Sequence, residues 1–345
     1  MIRPGPPFGP FATLELSSDR VRIVVCPALG ARVLSLVDLW TGREWLVAGD
    51  PPAGGPPGDA PAWSGDGAVY SGAVAFGWDE CLPTVAPCPD PADPGGPPLR
   101  DHGDLWGRPA EVVSEGAAIA ATWRVDHAAG GGRRYRFMRR LRLDGGRLVA
   151  DYELENLGPA ELPVLWSMHP LLALEPGSRL EVEGLVSVRV THAVGLPIAP
   201  VPGRADWPET PGTDGRPVAL DVVRGPAAGS AVMAYGGWEL YGSWDAATGE
   251  GLPGVAAAVQ PDGGRLELSW YAPIAPNLGI WLDDGGWPAA PDEPRVQHAL
   301  EPTTSPDDDL GSAMAADRAL VLAPAERVAW SATFRVRAPG EPRGG

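Results

Sequence analysis

Three features of the sequence predict an all-β fold, arranged as a large antiparallel β-sandwich with few short helices. Glycine (46) and proline (41) together fill about a quarter of the 345 residues, a composition that interrupts helices and suits short strands joined by turns. Short runs in which apolar and polar residues alternate recur from residue 11 to residue 338, the period-two pattern of half-buried strands. Only one stretch carries helical start signals. Length alone allows one sandwich or two average domains. Because strand patterns of the same kind resume after each loop-rich stretch, a single domain over 1–345 is expected, with a core about 10–337 and insertions near 49–67, 87–98 and 193–217.

The first strands are FATLELS, RVRIVVC and ARVLSLVDLW within residues 11–40, in the manner of a meander. AEVVSE, IAATWRV, RRYRFMRRLRL, GRLVADYELEN and ELPVLWSMH follow within 110–169. Asp144, Gly145 and Gly146 predict a hairpin between the third and fourth of these. In RRYRFMRRLRL, Tyr135, Phe137 and Leu141 alternate with arginines, which predicts one buried face and one cationic, solvated face. GSAVMAY, GWELYGS, GVAAAVQ, RLELSWY, NLGIWLDD and VQHALEP run from 229 to 302, and ERVAWSATFRVRA closes the series. The helix is expected from near Ser305, with acidic residues in its first turn, through LGSAMAADRAL. No repeat of solenoid or propeller period occurs.

Charge and composition exclude several classes of function. A formal net charge of -17 repels phosphate backbones and anionic membrane surfaces, and no basic run exceeds the pairs Arg133/Arg134 and Arg139/Arg140, so neither nucleic acid nor membrane is an expected partner. The chain has no lysine, which removes Schiff-base chemistry and Walker-type phosphate loops. Cys26, Cys81 and Cys88 are odd in number and form no CxxC pair, so neither a disulfide framework nor a zinc site is indicated. The N-terminal MIRPGPPFGP has no apolar signal core and no run approaches a membrane span, which makes a soluble, cytoplasmic protein the expectation.

Five histidines are few enough to weigh singly. His127 and His192 stand in polar turn-like or strand-like sequence and are assigned surface or core roles. His102, in LRDHGDLWGRP, precedes a glycine that lets backbone approach a ligand, with Asp101 beside it and Trp106 near enough in sequence to offer an aromatic face. His169 ends the apolar strand LPVLWSMH ahead of a proline, and Glu301 closes VQHALEP ahead of another. His298 lies three positions before Glu301, so on an extended strand the two point to opposite faces. Fourteen tryptophans against five phenylalanines suit the apolar face of a pyranose, and Trp78, Trp106 and Trp281 are the candidates. Asp79 and Glu80 are candidate partners for sugar hydroxyls.

In order and combination these segments resemble the aldose 1-epimerase or galactose mutarotase-like superfamily. DHG with His102, MHPLLAL with His169 and ALEP with Glu301 fill its slots, and GWDECLPTV, NLGIWLDDGGWP, the helix after Glu301 and the closing strand extend the likeness over about 10–337. The resemblance implies a supersandwich fold, a monosaccharide or small carbohydrate as partner, and anomer interconversion by ring opening. Glu301 would then be the general base, His169 the acid toward the ring oxygen, and His102 a hydrogen-bonding partner of the sugar, with no metal or organic cofactor needed. The better-known epimerases carry an Asn-Arg pair where GWDECLP stands, and that arginine is missing here. A non-catalytic carbohydrate-binding or regulatory module on the same fold is therefore the alternative. A glycoside hydrolase or lyase using Asp79, Glu80 and Glu301 is a third reading, weakened because adjacent carboxylates on a strand diverge.

Overall fold

A computed structural model describes residues 1–51, 70, 74–127, 133–237, 254–271, 273–287 and 296–342. Its described residues form two large antiparallel sheets. The larger, of twelve strands, runs in the order Ile2–Pro4, Leu14–Ser17, Val21–Cys26, Arg32–Asp38, Trp78–Cys81, Ser167–Pro170, Val296–Thr303, Asn277–Asp284, Ser230–Gly237, Ser187–Val194, Gly203–Asp206, with Arg43–Glu44 paired to Arg32–Asp38. The smaller, of eight, runs Arg179–Val182, Gly254–Val259, Arg265–Trp270, Arg327–Arg337, Arg147–Asn156, Arg134–Asp144, Ala118–Asp126, Glu111–Glu115. Apolar side chains from both sheets, among them Ile23, Leu36, Leu278 and Leu300 from one and Phe137, Tyr152, Leu268 and Phe334 from the other, form a single buried cluster. This is the all-β sandwich that the alternating pattern predicts.

The N-terminal meander follows chain order, strand beside strand, and the hairpin at Gly145 and Gly146 pairs Asp144 with Arg147. Gly145 takes a φ of 55°, the left-handed conformation that a two-residue hairpin turn requires. Four expectations are revised. ELPVLWSMH is two strands, Leu162–Val164 paired with Leu320–Leu322 and Ser167–Pro170 in the larger sheet, because Leu165 and Trp166 carry the chain from one pairing to the other. The stretch 193–217 contains the strand Gly203–Asp206 and the pair Glu209–Pro211 and Pro217–Ala219. The helix is short, Leu310–Ala315; Asp309 caps it by accepting from the Ser312 backbone N–H, so the acidic run precedes the first turn instead of filling it. The fourth concerns the arginine strand: Arg136, Arg140 and Arg142 do pair outward with Glu153, Glu115 and Asp151, but Arg139 points inward and is fully buried. Most of the loop expected at 49–67 and most of the strand expected at GWELYGS lie outside the described residues.

A candidate acid-base site

The short strand Trp78–Cys81 divides its side chains between two environments. Trp78 and Glu80 turn into the core between the sheets, where Trp78 meets the edge of Phe334 at 5.4 Å between ring centroids. Glu80 accepts hydrogen bonds from Arg139 (2.9 Å), Trp78 Nε1 (3.1 Å), Trp166 Nε1 (3.0 Å) and Tyr152 (3.2 Å). Burial pushes its carboxyl up to about 7 despite the Arg139 charge. Trp78 and Glu80 are thus core residues, contrary to the expectation that they meet a sugar; a strand's alternation places them on the wrong face. Asp79, between them, faces the other way.

On that other face lies a cavity of about 330 Å³ whose walls include Asp101, His102, His169, Trp281 and Glu301. The register of the sheet explains its composition. His192, Met233, Trp281 and Ala299 are successive partners across four neighbouring strands, so they form one row on one face. Gln297 and Glu301 share the face of Ala299 on Val296–Thr303, whereas His298 points to the opposite side and bonds Asp284 at 3.2 Å. His169 is the register partner of Asp79 on the adjoining strand.

The three residues expected to do chemistry converge. His169 Nε2 lies 3.9 Å from Glu301 Oε1, and the imidazoles of His102 and His169 meet edge to face with 4.9 Å between centroids. His102 is held by a backbone that docks against the strand end: its N–H donates to Val85 O (2.6 Å), and Asp104 N–H donates to Leu82 O (2.6 Å). A Cβ on Gly103, whose φ is 71°, would collide with the Leu82 carbonyl, so only glycine permits this approach. His102 itself adopts a φ of 57°, a conformation uncommon outside glycine that aims its ring at His169. Asp101 Oδ1 holds its Nδ1 at 2.8 Å.

Each titratable group is tuned by its surroundings. Burial, opposed by the His169 charge, pushes the Glu301 carboxyl up to about 7, with Asp308 adding to the rise. Burial works to raise Asp79, but the charges of Arg32 and His169 outweigh it and hold that carboxyl at about 2. Burial likewise pulls His169 down, yet Asp79, by charge and hydrogen bond, and then Glu301 hold it above the ordinary imidazole value. His102 is pulled down by burial against its Asp101 hydrogen bond. Asp79 Oδ1 lies 2.8 Å from His169 Nδ1; an ionised carboxylate only accepts, so Nδ1 carries a hydrogen and Nε2 is left facing Glu301.

Other sequence-derived candidates fall into place around this centre. Asp79 stands behind His169, positioning it. Trp281 lines the cavity. Trp106 is fully buried beneath it, donating from Nε1 to Asp101 O at 2.9 Å, and is not a cavity wall. His192, read from sequence as surface or core, is a cavity wall. Tyr70, Met233, Trp287, Gln297 and Asp308 were not legible as site residues; for Gln297 the i, i+4 spacing to Glu301 on a strand was the available signal. Tyr70 stacks on His102 with 3.7 Å between centroids and brings its hydroxyl 3.3 Å from His169 Nδ1. Among the described residues lining the cavity none is an arginine.

No protein-family model matches the chain, and no curated protein matches it. Solved structures do. A galactose mutarotase-like protein from Lactobacillus casei superposes with a TM-score of 0.59 at 16% identity, over 94% of this chain and 100% of that one. A galactose mutarotase related enzyme from Lactobacillus acidophilus gives 0.61 at 14% identity, over 96% and 100%. A galactose 1-epimerase from Lactobacillus acidophilus gives 0.52 at 13% identity, over 95% and 94%.

Proposed function

With the galactose mutarotase-like fold established, we propose that the protein is an aldose 1-epimerase-like enzyme that interconverts the anomers of a monosaccharide by acid-base ring opening. The observation that carries this reading is the placement of His169 Nε2 and Glu301 Oε1, 3.9 Å apart across one cavity wall. In its ionised form Glu301 takes the proton from the anomeric hydroxyl. His169 gives its Nε2 proton to the ring oxygen, the bond between the anomeric carbon and ring oxygen breaks, and an aldehyde forms. Rotation of the aldehyde and the reverse transfers close the ring on its other face. His102, kept neutral by burial, hydrogen-bonds the sugar, and Trp281 offers its ring to the apolar face of the pyranose. The proton inventory balances within the two residues, so each turnover returns the site to its starting state.

The chain acts in this reading as one domain. Its three cysteines are buried free thiols, which suits a reducing, cytoplasmic setting, and no described helix is long and apolar enough to cross a membrane. Polarimetry on freshly dissolved anomers of a panel of free aldoses tests the activity. Faster approach to equilibrium than the spontaneous reaction is expected on at least one sugar, and no acceleration on any by folded protein overturns the proposal. The second reading, a carbohydrate-binding or regulatory module, is favoured by one observation: no arginine lines the cavity among the described residues. Calorimetric sugar binding without any acceleration would establish it.

A further inference from the structure

Asp79 is shared. Its Oδ1 lies 2.8 Å from His169 Nδ1, while its Oδ2 is bonded to Arg32 Nη2. Arg32 comes from the neighbouring strand Arg32–Asp38, exposes no surface, and also donates from Nη1 to Val74 O (3.0 Å) and to Phe76 O. Gly77 permits this clamp, because its φ of 67° and lack of Cβ bring the chain against the Val33 carbonyl. The guanidinium is therefore fixed from two sides, with one carboxylate oxygen left to the imidazole.

We propose that Arg32 is a positioning residue of the acid-base pair: by dividing the Asp79 carboxylate with His169, it lets Asp79 align the imidazole without capturing its proton outright. This rests on the acid role given to His169 above. A buried carboxylate with an imidazole as its sole partner would bind the imidazolium as a tight ion pair and make it a poor donor. A second, permanent cation on the other oxygen satisfies most of that charge. Among the described residues, the titratable and charged groups facing His169 are Asp79 and Arg32 behind Nδ1, the Tyr70 hydroxyl at 3.3 Å from the same nitrogen, Glu301 ahead of Nε2, His102, itself held by Asp101, against the ring edge, and the Cys81 thiol, whose sulfur lies within 4.8 Å of a ring nitrogen. Of these Arg32 is the only fixed positive charge. It acts on His169 in the lowering sense, opposite to Asp79 and Glu301.

The test is imidazole NMR of the whole protein, with His169 assigned by Arg32-intact His169→Gln, in Arg32→Gln and Arg32→Lys. Arg32→Gln is expected to move the His169 titration to higher pH and the basic limb of kcat with it. Arg32→Lys, which keeps the charge, is expected to leave both near the wild-type position. An unmoved midpoint in folded Arg32→Gln, a move to lower pH, or an equal move in both variants overturns the proposal. A measurement on the wild type needs no variant: the Arg32 guanidinium resonances are expected to follow the His169 titration, and independence of the two overturns it as well. A shifted imidazole in a protein that accelerates no sugar would leave the Arg32 assignment standing while the epimerase reading falls. Sugar turnover with an unmoved imidazole would do the reverse.

Discussion

Replacing Glu301 with glutamine separates a catalytic carboxylate from a structural one, because the two roles predict opposite signs for stability. Glu301 is 3% exposed and its carboxyl is raised from 4.5 to about 7. A carboxyl raised on folding binds its proton more tightly in the native state, so its ionisation destabilises the fold. That penalty is absent below the unfolded value of 4.5, grows as pH rises, and is complete above about 7. At 1.36 kcal/mol per pKa unit it amounts to roughly 3 kcal/mol at pH 8. Glu301→Gln keeps the shape and removes the charge, so denaturant unfolding is expected to show a gain of that order at pH 8 and little difference at pH 4.5. Loss of the general base is expected to slow ring opening by about 100- to 10,000-fold in polarimetry, or about 3–5 kcal/mol of barrier. Wild-type turnover in Glu301→Gln, or a variant less stable than wild type at pH 8, would refute this account of the residue.

Four further expectations concern the same framework. In wild type the ring-opening rate should fall as pH drops through about 7, where Glu301 takes up a proton, and fall again on the basic side above the ordinary imidazole range, where His169 loses one; a flat polarimetric profile from pH 5 to 9 contradicts both assignments. His169→Gln should lose the basic limb together with most of kcat, and retention of that limb would assign it elsewhere. Trp281→Ala should raise KM about three- to tenfold with kcat largely kept, from loss of a stacking platform, and an unchanged KM would remove Trp281 from the sugar site. Arg139→Met, which strands the buried Glu80 carboxylate, should lower unfolding free energy by about 3–5 kcal/mol in denaturant melts; a variant as stable as wild type would show that Glu80 needs no counter-charge.

The sandwich was legible because its strands are half-buried: alternation in stretches such as Ala118–Asp126 and Arg265–Trp270 is written by the core itself. The site was legible in its chemistry and poorly legible in its walls. His102, His169 and Glu301 carry functional groups that are costly to place at strand ends or bury without purpose, and each stands beside a glycine or proline that marks a boundary. Met233 and His192 become wall residues only through cross-strand register with Trp281, and register between distant strands is a three-dimensional property. Trp78 and Glu80 mislead for a related reason. Their motif is right, but which of two alternating faces meets the ligand is decided by the partner strands, and Arg139 breaks the apolar alternation of its own strand to meet Glu80. The helix, Leu310–Ala315, starts later than its acidic run suggests, because Asp307, which accepts from Arg189 and Arg318, serves tertiary contacts and not the helix terminus.

The strand Trp78–Cys81 binds two separate buried arginines through consecutive letters, Arg32 through Asp79 on one side and Arg139 through Glu80 on the other. Adding or deleting one residue between Gly77 and Pro83 would exchange the sides and leave both guanidiniums facing the wrong neighbours. A change of length in this segment should therefore disturb both arginines at once, whereas a substitution of Asp79 or Glu80 strands only one of them, and libraries built to alter sugar preference are better directed at the cavity-lining Met233, Trp281 and Gln297, which lie outside that two-sided lock.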